Sequence, residues 1–315
     1  MLDFDEEWKR QQARRPQPDD ALGWNKRAPR YDSRDARNLY AEEFIARAGI
    51  APGETAFDMG CGTGSLAVPL AEAGHRVIAA DFSEGMLAKL KENARIHGVE
   101  ALELDKVEAD GDRDDGAPER GRIEALHMSW EDDWSAFGLA DGMADVAIAS
   151  RSIAVADLRA ALYKLNRIAR RRCCITMATG TSPRVDPAVL ADIGVPASPS
   201  RDFVYAFGLL AQAGFEPDVS YIHSSRTDTF PDRETAFDDF SRMVAIGADA
   251  AFLADEEAMR AARERLSAWL DAHLADNPNA GMPDKKGVPQ GALMLDFTRT
   301  VSWAFLSWNP HAATL

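Results

Sequence analysis

The feature that most constrains the fold of this chain is an apolar segment that runs directly into a loop with a glycine at every second position. Residues 55–59 (TAFDM) precede the loop at 60–64 (GCGTG), and a helical pattern follows from Ser65 to Ala73. Glycines permit a sharp turn and let a ligand approach the main chain where a Cβ atom would block it. The pattern therefore predicts a strand, a tight binding loop and a helix, in that order.

Further apolar segments alternate with helical patterns along most of the chain. Strands are predicted at residues 55–59, 76–80, 122–128, 145–149, 173–178, 219–223 and 292–307. Such alternation is typical of a mostly parallel sheet covered by helices on both faces. We therefore expect a single Rossmann-like α/β domain over residues 1–315, with a seven-stranded sheet.

Two helical regions lie outside this alternation. One is an N-terminal cap at about residues 1–50, and the other is an insert at about residues 231–290, before the last strand. A connection as long as the insert needs its own structure and is often functional. We expect it to act as a substrate lid, and a homodimer interface is the alternative.

The composition excludes several classes of partner. Lys and Arg total 36 against 51 Asp and Glu, which gives a net charge of -15, and such a surface repels nucleic acid. The three cysteines lack metal-ligand spacing, so we expect free thiols and no metal site. Because the chain shows neither a signal peptide nor an apolar run of ~20 residues, we expect a cytoplasmic protein without a membrane partner.

Two carboxylates flank the glycine loop in a pattern that suits an adenosine-containing ligand. Asp58 precedes the first glycine by two positions and offers negative charge for an ammonium group. Asp81 ends the second strand, where an acidic side chain can accept both ribose hydroxyls. A nicotinamide dehydrogenase would place its third glycine where this chain has Ser65. The spacing therefore disfavours a dinucleotide.

In these residues the chain resembles the class I S-adenosylmethionine (SAM)-dependent methyltransferases. The matching segments are residues 57–64 (FDMGCGTG) and 77–83 (VIAADFS), and residues 83–87 (SEGML) match that family's S-x-x-M-L continuation. The resemblance covers roughly residues 30–225 and the last strand. It implies SAM as the cofactor, bound across the carboxyl ends of the first, second and fourth strands, and an antiparallel last strand. The predicted cofactor contacts are Asp58, Gly60, Cys61, Gly62, Gly64, Asp81, Phe82, Met86, Ser129, Trp130 and Ser150.

Three residues are candidates for a catalytic role, although the sequence does not assign one. Residues 24–32 look like the leading helix that caps the cofactor in small-molecule members of the family, which would bring Tyr31 near the sulfonium or the substrate. Arg151, just past the fourth strand, could clamp a carboxylate or phosphate, or form a salt bridge with a nearby acid. His223 ends the sixth strand and could face the pocket. Residues 150–154 (SRSIA) replace a His-containing segment found in many of those members, so no general base is transferred by resemblance.

The sequence therefore predicts methyl transfer from SAM to a small-molecule acceptor. A protein methyltransferase and a non-catalytic SAM-binding protein are the alternatives. The Asn-Pro-Pro-Tyr segment typical of enzymes that methylate amino groups of DNA and protein is absent.

Overall fold

The computed structural model describes residues 2–13, 20–28, 38–108, 121–198, 201–284 and 288–310. The chain divides into two compact units. The first comprises Met1–Met177, Phe203–Ser220 and Ala304–Leu315, and the second comprises Ala178–Asp202 and Tyr221–Trp303. The expected insert lies within the second unit. That residues 1–315 fold as one domain stays a prediction.

Most of the strands form one large sheet. The strands of the described chain are β1 (Ala56–Met59), β2 (Arg76–Asp81), β3 (Glu100–Glu103), β4 (Arg122–His127), β5 (Ala144–Ser150), β6 (Ala169–Ala178), β7 (Asp218–Arg226), β8 (Thr229–Phe230), β9 (Leu274–Asp276), β10 (Leu293–Leu295) and β11 (Arg299–Trp308). The large sheet has the order β3-β4-β2-β1-β5-β6-β11-β7. The pairs β1–β2, β1–β5, β2–β4, β3–β4 and β5–β6 are parallel. This confirms the expected mostly parallel α/β sheet.

The sheet has eight strands instead of the expected seven, because β3 adds an edge strand beside β4. The missed strand is short, and two of its four residues are glutamates. Glu100, Leu102 and Glu103 are exposed. An edge strand that buries few residues has no apolar run from which it could be predicted.

The helices of the described chain are α1 (Phe4–Gln12), α2 (Ala21–Arg27), α3 (Leu39–Ala48), α4 (Ala67–Glu72), α5 (Glu84–Ile96), α6 (Leu158–Ile168), α7 (Pro187–Asp192), α8 (Asp202–Gln212), α9 (Arg233–Gly247), α10 (Ala250–Leu253) and α11 (Glu256–His273). Helix α4 begins at Ala67, two residues later than the expected Ser65, because residues 62–66 form turns. By contrast, α5 begins where expected, since the Ser83 hydroxyl caps it by accepting from the Met86 N–H at 3.2 Å. Within the described residues, no helix combines the length and the apolar character needed to cross a bilayer.

Each unit has its own core. The core of the first unit includes the fully buried Phe57, Ile78 and Leu126 on adjacent strands of the sheet. The core of the second unit includes Phe240 and Trp269, whose ring centroids lie 5.2 Å apart. The second unit also contains a three-stranded sheet of order β8-β10-β9, which the helical pattern of the insert did not predict.

Candidate cofactor site

The glycine loop is fastened to the end of β2 by its own backbone. The N–H groups of Gly60 and Cys61 both donate to the Ala80 carbonyl, at 2.7 and 3.0 Å. The Gly62 N–H donates to Asp81 Oδ2 at 2.8 Å. Residues singled out on two separate sequence segments therefore lie in direct contact.

Two glycines of the loop have different surroundings, although both adopt left-handed backbone angles. A Cβ atom on Gly60 (φ 73°) would lie 2.3 Å from the Cβ of Ser152, whereas one on Gly62 (φ 54°) would meet no atom of the described residues within 4 Å. Ser152 is held there by its hydroxyl, which donates to the Met59 carbonyl at 2.6 Å. Gly60 thus allows close packing within the protein, and Gly62 leaves open space where a ligand could reach the main chain.

Asp81 is a buried carboxylate with partners on both oxygens. Oδ2 accepts from Gly62, and Oδ1 accepts from the Ser83 N–H at 2.9 Å. Burial raises the pKa of Asp81, and these backbone N–H donors oppose that rise. Each carboxylate oxygen retains a further lone pair. The side chain can therefore still accept from ligand hydroxyls.

Asp58 is buried on β1, and its Oδ2 atom has no hydrogen-bond partner within the described part of the chain. Burial, and then repulsion from Asp81, raises the pKa of Asp58 to about 7. Leaving a buried carboxylate oxygen without a donor is unfavourable. An ammonium group would relieve both the missing hydrogen bond and the repulsion, so this residue fits the amino-acid end of SAM.

Helix α2 reaches the start of α5 through a residue that sequence reasoning did not single out. Asn25 Oδ1 accepts from the Ser83 hydroxyl at 2.7 Å and from the Gly85 N–H at 2.9 Å. A Cβ on Gly85 would lie 2.9 Å from the Asn25 Cα, which explains a glycine in the first turn of a helix. That glycine was the only signal of this close approach available from the sequence.

Trp130 is connected to the glycine loop through Ser152. Its Nε1–H donates to the Ser152 carbonyl at 2.9 Å, and its ring lies 5.5 Å from the Trp134 ring. The preceding Ser129 donates its N–H to Asp132 Oδ2 at 2.8 Å. The loops that follow β4 and β5 are therefore tied together beside residue 60.

At the end of β5, a buried tyrosine joins two neighbouring strands. The Tyr40 hydroxyl lies 2.7 Å from Ser150 Oγ and 2.6 Å from Thr176 Oγ1. The exposed Arg151 follows Ser150, and its guanidinium carbon lies 4.3 Å from the centroid of the Tyr40 ring. Tyr40 and Thr176 were not predicted, because nothing in the sequence relates α3 to the sheet.

The other predicted residues occupy varied positions. Met86 is buried, and Phe82 is 37% exposed. Cys61 is buried in the loop, and burial raises the pKa of its thiol well above the usual value. Gly64 (φ 89°) would bring a Cβ within 3.0 Å of Val68, so it serves packing. Tyr31 lies outside the described residues. His223 is exposed in the second unit beside Tyr221, with ring centroids 6.5 Å apart.

Comparison with known proteins agrees with this geometry. Residues 56–129, which include the glycine loop and Asp81, match the family model described as a methyltransferase domain. An uncharacterized protein of Haemophilus influenzae is 25% identical over 297 residues, which cover 91% of this chain and 89% of that protein.

Two solved structures are similar at a lower level. Phosphoethanolamine N-methyltransferase 2 of Haemonchus contortus has 13% identity and a TM-score of 0.43, over 98% of this chain and 60% of that one. Magnesium protoporphyrin IX methyltransferase of Synechocystis has 18% identity and a TM-score of 0.36, over 74% and 93%. Both similarities are too weak to bear on function. The domain match, the strand order and the loop joined to Asp81 together support a SAM-dependent methyltransferase with a class I, Rossmann-like fold.

Proposed function

We propose that the chain transfers the methyl group of SAM to a small-molecule acceptor, at a site built on residues 58–64 and Asp81. The observation that carries the proposal is the arrangement of the two buried carboxylates around the loop. Asp81 is bonded to the loop at Gly62, and one oxygen of the buried Asp58 has no hydrogen-bond partner among the described residues. These groups have the complementary chemistry for ribose hydroxyls and for an ammonium group.

Each predicted contact then has a separate task. Asp58 would hold the ammonium group, Asp81 would hold the ribose, and the open side of Gly62 would admit the ligand against the main chain. The side chains that would border the adenine are Phe82, Met86, Ser129 and Trp130. Asn25 supports this region from outside, since it fixes the first turn of α5.

Bound SAM supplies a methyl group on a sulfonium, which is already activated towards displacement. The chain's own task is then mainly to position the acceptor, since holding reacting atoms in line accounts for much of the acceleration in such reactions. A side-chain base is needed only for an acceptor that is protonated and weakly acidic. Arg151 is our candidate for orienting the acceptor, because it follows Ser150 directly and precedes Ser152, which contacts Gly60.

The position of α2 favours a small acceptor over a protein. This helix packs on the first turn of α5, next to Ser83 and Asp81. In small-molecule members of the family, a leading helix of this kind covers the cofactor. A covered site suits a small acceptor better than an extended polypeptide.

Two measurements test the proposal. Isothermal titration with SAM and with its demethylated product, S-adenosylhomocysteine (SAH), should give binding of both, and Asp81→Ala should weaken it. Incubation with methyl-tritiated SAM and an extract of the source organism should then place the label in species below about 1 kDa. Label on protein would indicate a protein methyltransferase, and binding without any transfer would indicate a non-catalytic binder.

A further inference from the structure

Arg151 is, within the described part of the chain, the only non-glycine residue with a left-handed backbone, at φ 59°. In this region the Cβ of an L-residue crowds the adjoining carbonyl, so the conformation costs free energy and persists only where the surroundings impose it. Such residues cluster at functional sites. The position of Arg151 between a strand end and the cofactor loop therefore needs a physical account.

The conformation is imposed from both sides. The Arg151 N–H donates to Thr176 Oγ1 at 3.2 Å and to the Thr176 carbonyl at 3.3 Å. The preceding Ser150 is bonded to Tyr40, and the following Ser152 is bonded to the Met59 carbonyl. Residue 151 is thus fixed one position from the residue that touches Gly60, and its backbone cannot relax without breaking these bonds.

The fixed backbone carries an exposed cation whose direction is also set. The guanidinium lies over the ring of Tyr40, which is itself held by two hydroxyl contacts. Contact with an aromatic face is compatible with ligand binding, because the five N–H donors of arginine lie at the edge of its plane. That edge matches the paired oxygens of a carboxylate or a phosphate.

We propose that the methyl acceptor is an anion and that Arg151 binds its carboxylate or phosphate oxygens. This rests on the proposed function, since it names the class of acceptor for the same site. The net charge of -15 gives no long-range attraction for an anion, so recognition has to be local. A preorganised arginine beside the cofactor loop provides it.

Two other roles for Arg151 make different predictions. If the guanidinium binds the carboxylate of SAM, its removal weakens the affinity for SAH. If it serves only to pack on Tyr40, its removal leaves the transfer rate unchanged. The test must therefore follow SAH affinity and transfer in the same variants.

Arg151→Gly is the informative variant, because glycine adopts φ 59° without strain and the neighbouring hydrogen bonds can stay. Arg151→Lys retains the charge but loses the paired donors. Arg95→Gln, at the exposed end of α5, is the matched control for loss of one positive charge. Each full-length protein is incubated with methyl-tritiated SAM and small-molecule extract of the source organism, separated beforehand by ion exchange into acidic, neutral and basic pools.

We expect label from the acidic pool with wild type and Arg95→Gln. The initial rate should fall about 10- to 100-fold in Arg151→Gly, as for loss of a charge-assisted hydrogen-bond pair, with a smaller fall in Arg151→Lys. The SAH dissociation constant should stay within about twofold. Loss of the labelling after phosphatase treatment of the acidic pool would identify a phosphate monoester, and resistance would exclude one.

Three results would overturn the inference. Label from the neutral or basic pool alone, at a rate unchanged in Arg151→Gly, would refute an anionic acceptor while methyl transfer stands. A matching loss of SAH affinity in Arg151→Gly would assign the arginine to the cofactor. No label from any pool, with SAH still bound, would refute the proposed function and this inference with it.

Discussion

Asp58 and Asp81 are both buried beside the glycine loop, yet their carboxylates differ in partners. Asp81 accepts from two backbone N–H groups, whereas one oxygen of Asp58 accepts from none within the described residues. The first carboxylate is therefore part of the folded loop. Burial of the second carboxylate without a donor costs free energy, which a cationic ligand can relieve. We therefore expect the two carboxylates to respond differently to substitution and to pH.

Because burying the ionised Asp58 carboxylate costs free energy, the stability of the ligand-free protein should depend on pH. Its pKa is raised to about 7 in the folded chain from an ordinary value of 3.8, so the folded chain binds this proton more tightly than the unfolded chain. Stability should fall as pH rises from about 4 to 7, by up to roughly 4 kcal/mol, with the full cost present above 7. Asp58→Asn removes this contribution. In urea denaturation, the free energy of unfolding of Asp58→Asn relative to wild type should increase between pH 5 and pH 8.

The control for Asp58 is Asp105→Asn, which alters an exposed carboxylate of the same unit. Its difference from wild type should stay nearly constant over that pH range. If Asp58→Asn and wild type gave parallel profiles, Asp58 would not carry the strained charge described above.

Asp81→Ala should weaken SAM binding by roughly 1–3 kcal/mol, the cost of losing a charge-assisted hydrogen-bond pair. The substitution also removes the acceptor of the Gly62 N–H, so part of the loss reflects a looser loop. Isothermal titration with SAH measures the effect, and Glu100→Gln on the exposed edge strand is the control. Unchanged affinity in Asp81→Ala would place the adenosine elsewhere.

At the scale of the element, two glycines of the same loop should have different roles: Gly60 allows close packing, and Gly62 allows a ligand to approach the main chain. Gly60→Ala should destabilise the fold by about 3 kcal/mol, because the new Cβ meets Ser152 at 2.3 Å in a left-handed conformation. Gly62→Ala faces open space and should cost only about 1 kcal/mol of stability, yet lower SAH affinity at least tenfold. Gly98→Ala, with φ 69° and open surroundings after α5, reports the backbone strain alone. A Gly62→Ala protein that bound SAH like Gly98→Ala would refute ligand contact at this position.

Helix α2 should depend on one side chain for its position on α5. Asn25→Ala removes the acceptor for the Ser83 hydroxyl and the Gly85 N–H, worth about 1–3 kcal/mol together. Hydrogen exchange over residues 21–28 should become faster, while exchange in β1 stays as in wild type. Asn25→Asp keeps an acceptor oxygen in place and should restore most of the protection. Equal exchange in Asn25→Ala and wild type would show that α2 is held by other contacts.

The elements that were predicted from the sequence are those whose buried residues form an apolar run or a regularly spaced apolar pattern. The strand at residues 145–149 is apolar after its first residue, because both faces of a parallel strand are covered, and such a run can be recognised in the sequence. Edge strand β3 and the two-residue β8 bury too few residues to produce such a pattern. The contacts of Asn25 and Tyr40 could not be predicted either, because no spacing in the sequence relates a single polar side chain to a distant partner.

At the scale of the whole molecule, the second unit shows how far a helical pattern can inform. The insert that the sequence predicted as helical contains α11, whose Leu266, Trp269 and Leu270 are buried. The buried cation that joins separate segments of this unit was not predicted. Arg299 donates to Asp228 Oδ2 at 2.6 Å and to the Pro183 carbonyl at 3.1 Å, and Asp186 lies 3.9 Å away. Three separated stretches of sequence therefore depend on one guanidinium.

Arg299→Met should destabilise the second unit by about 3–5 kcal/mol, because it leaves buried carboxylates without their cation. Limited proteolysis should then cut within residues 178–202 and 221–303 first. Arg226→Gln is the control: Arg226 pairs with the same Asp228 but is 42% exposed, so its loss should cost under about 1 kcal/mol. Adding Asp228→Asn to Arg299→Met removes a buried charge that retains only the half-exposed Arg226 as its partner, and should recover part of the stability. If the double variant were no more stable than Arg299→Met, the loss of stability would come from the packing of the long side chain, and pairing of the carboxylates with the Arg299 cation would contribute little.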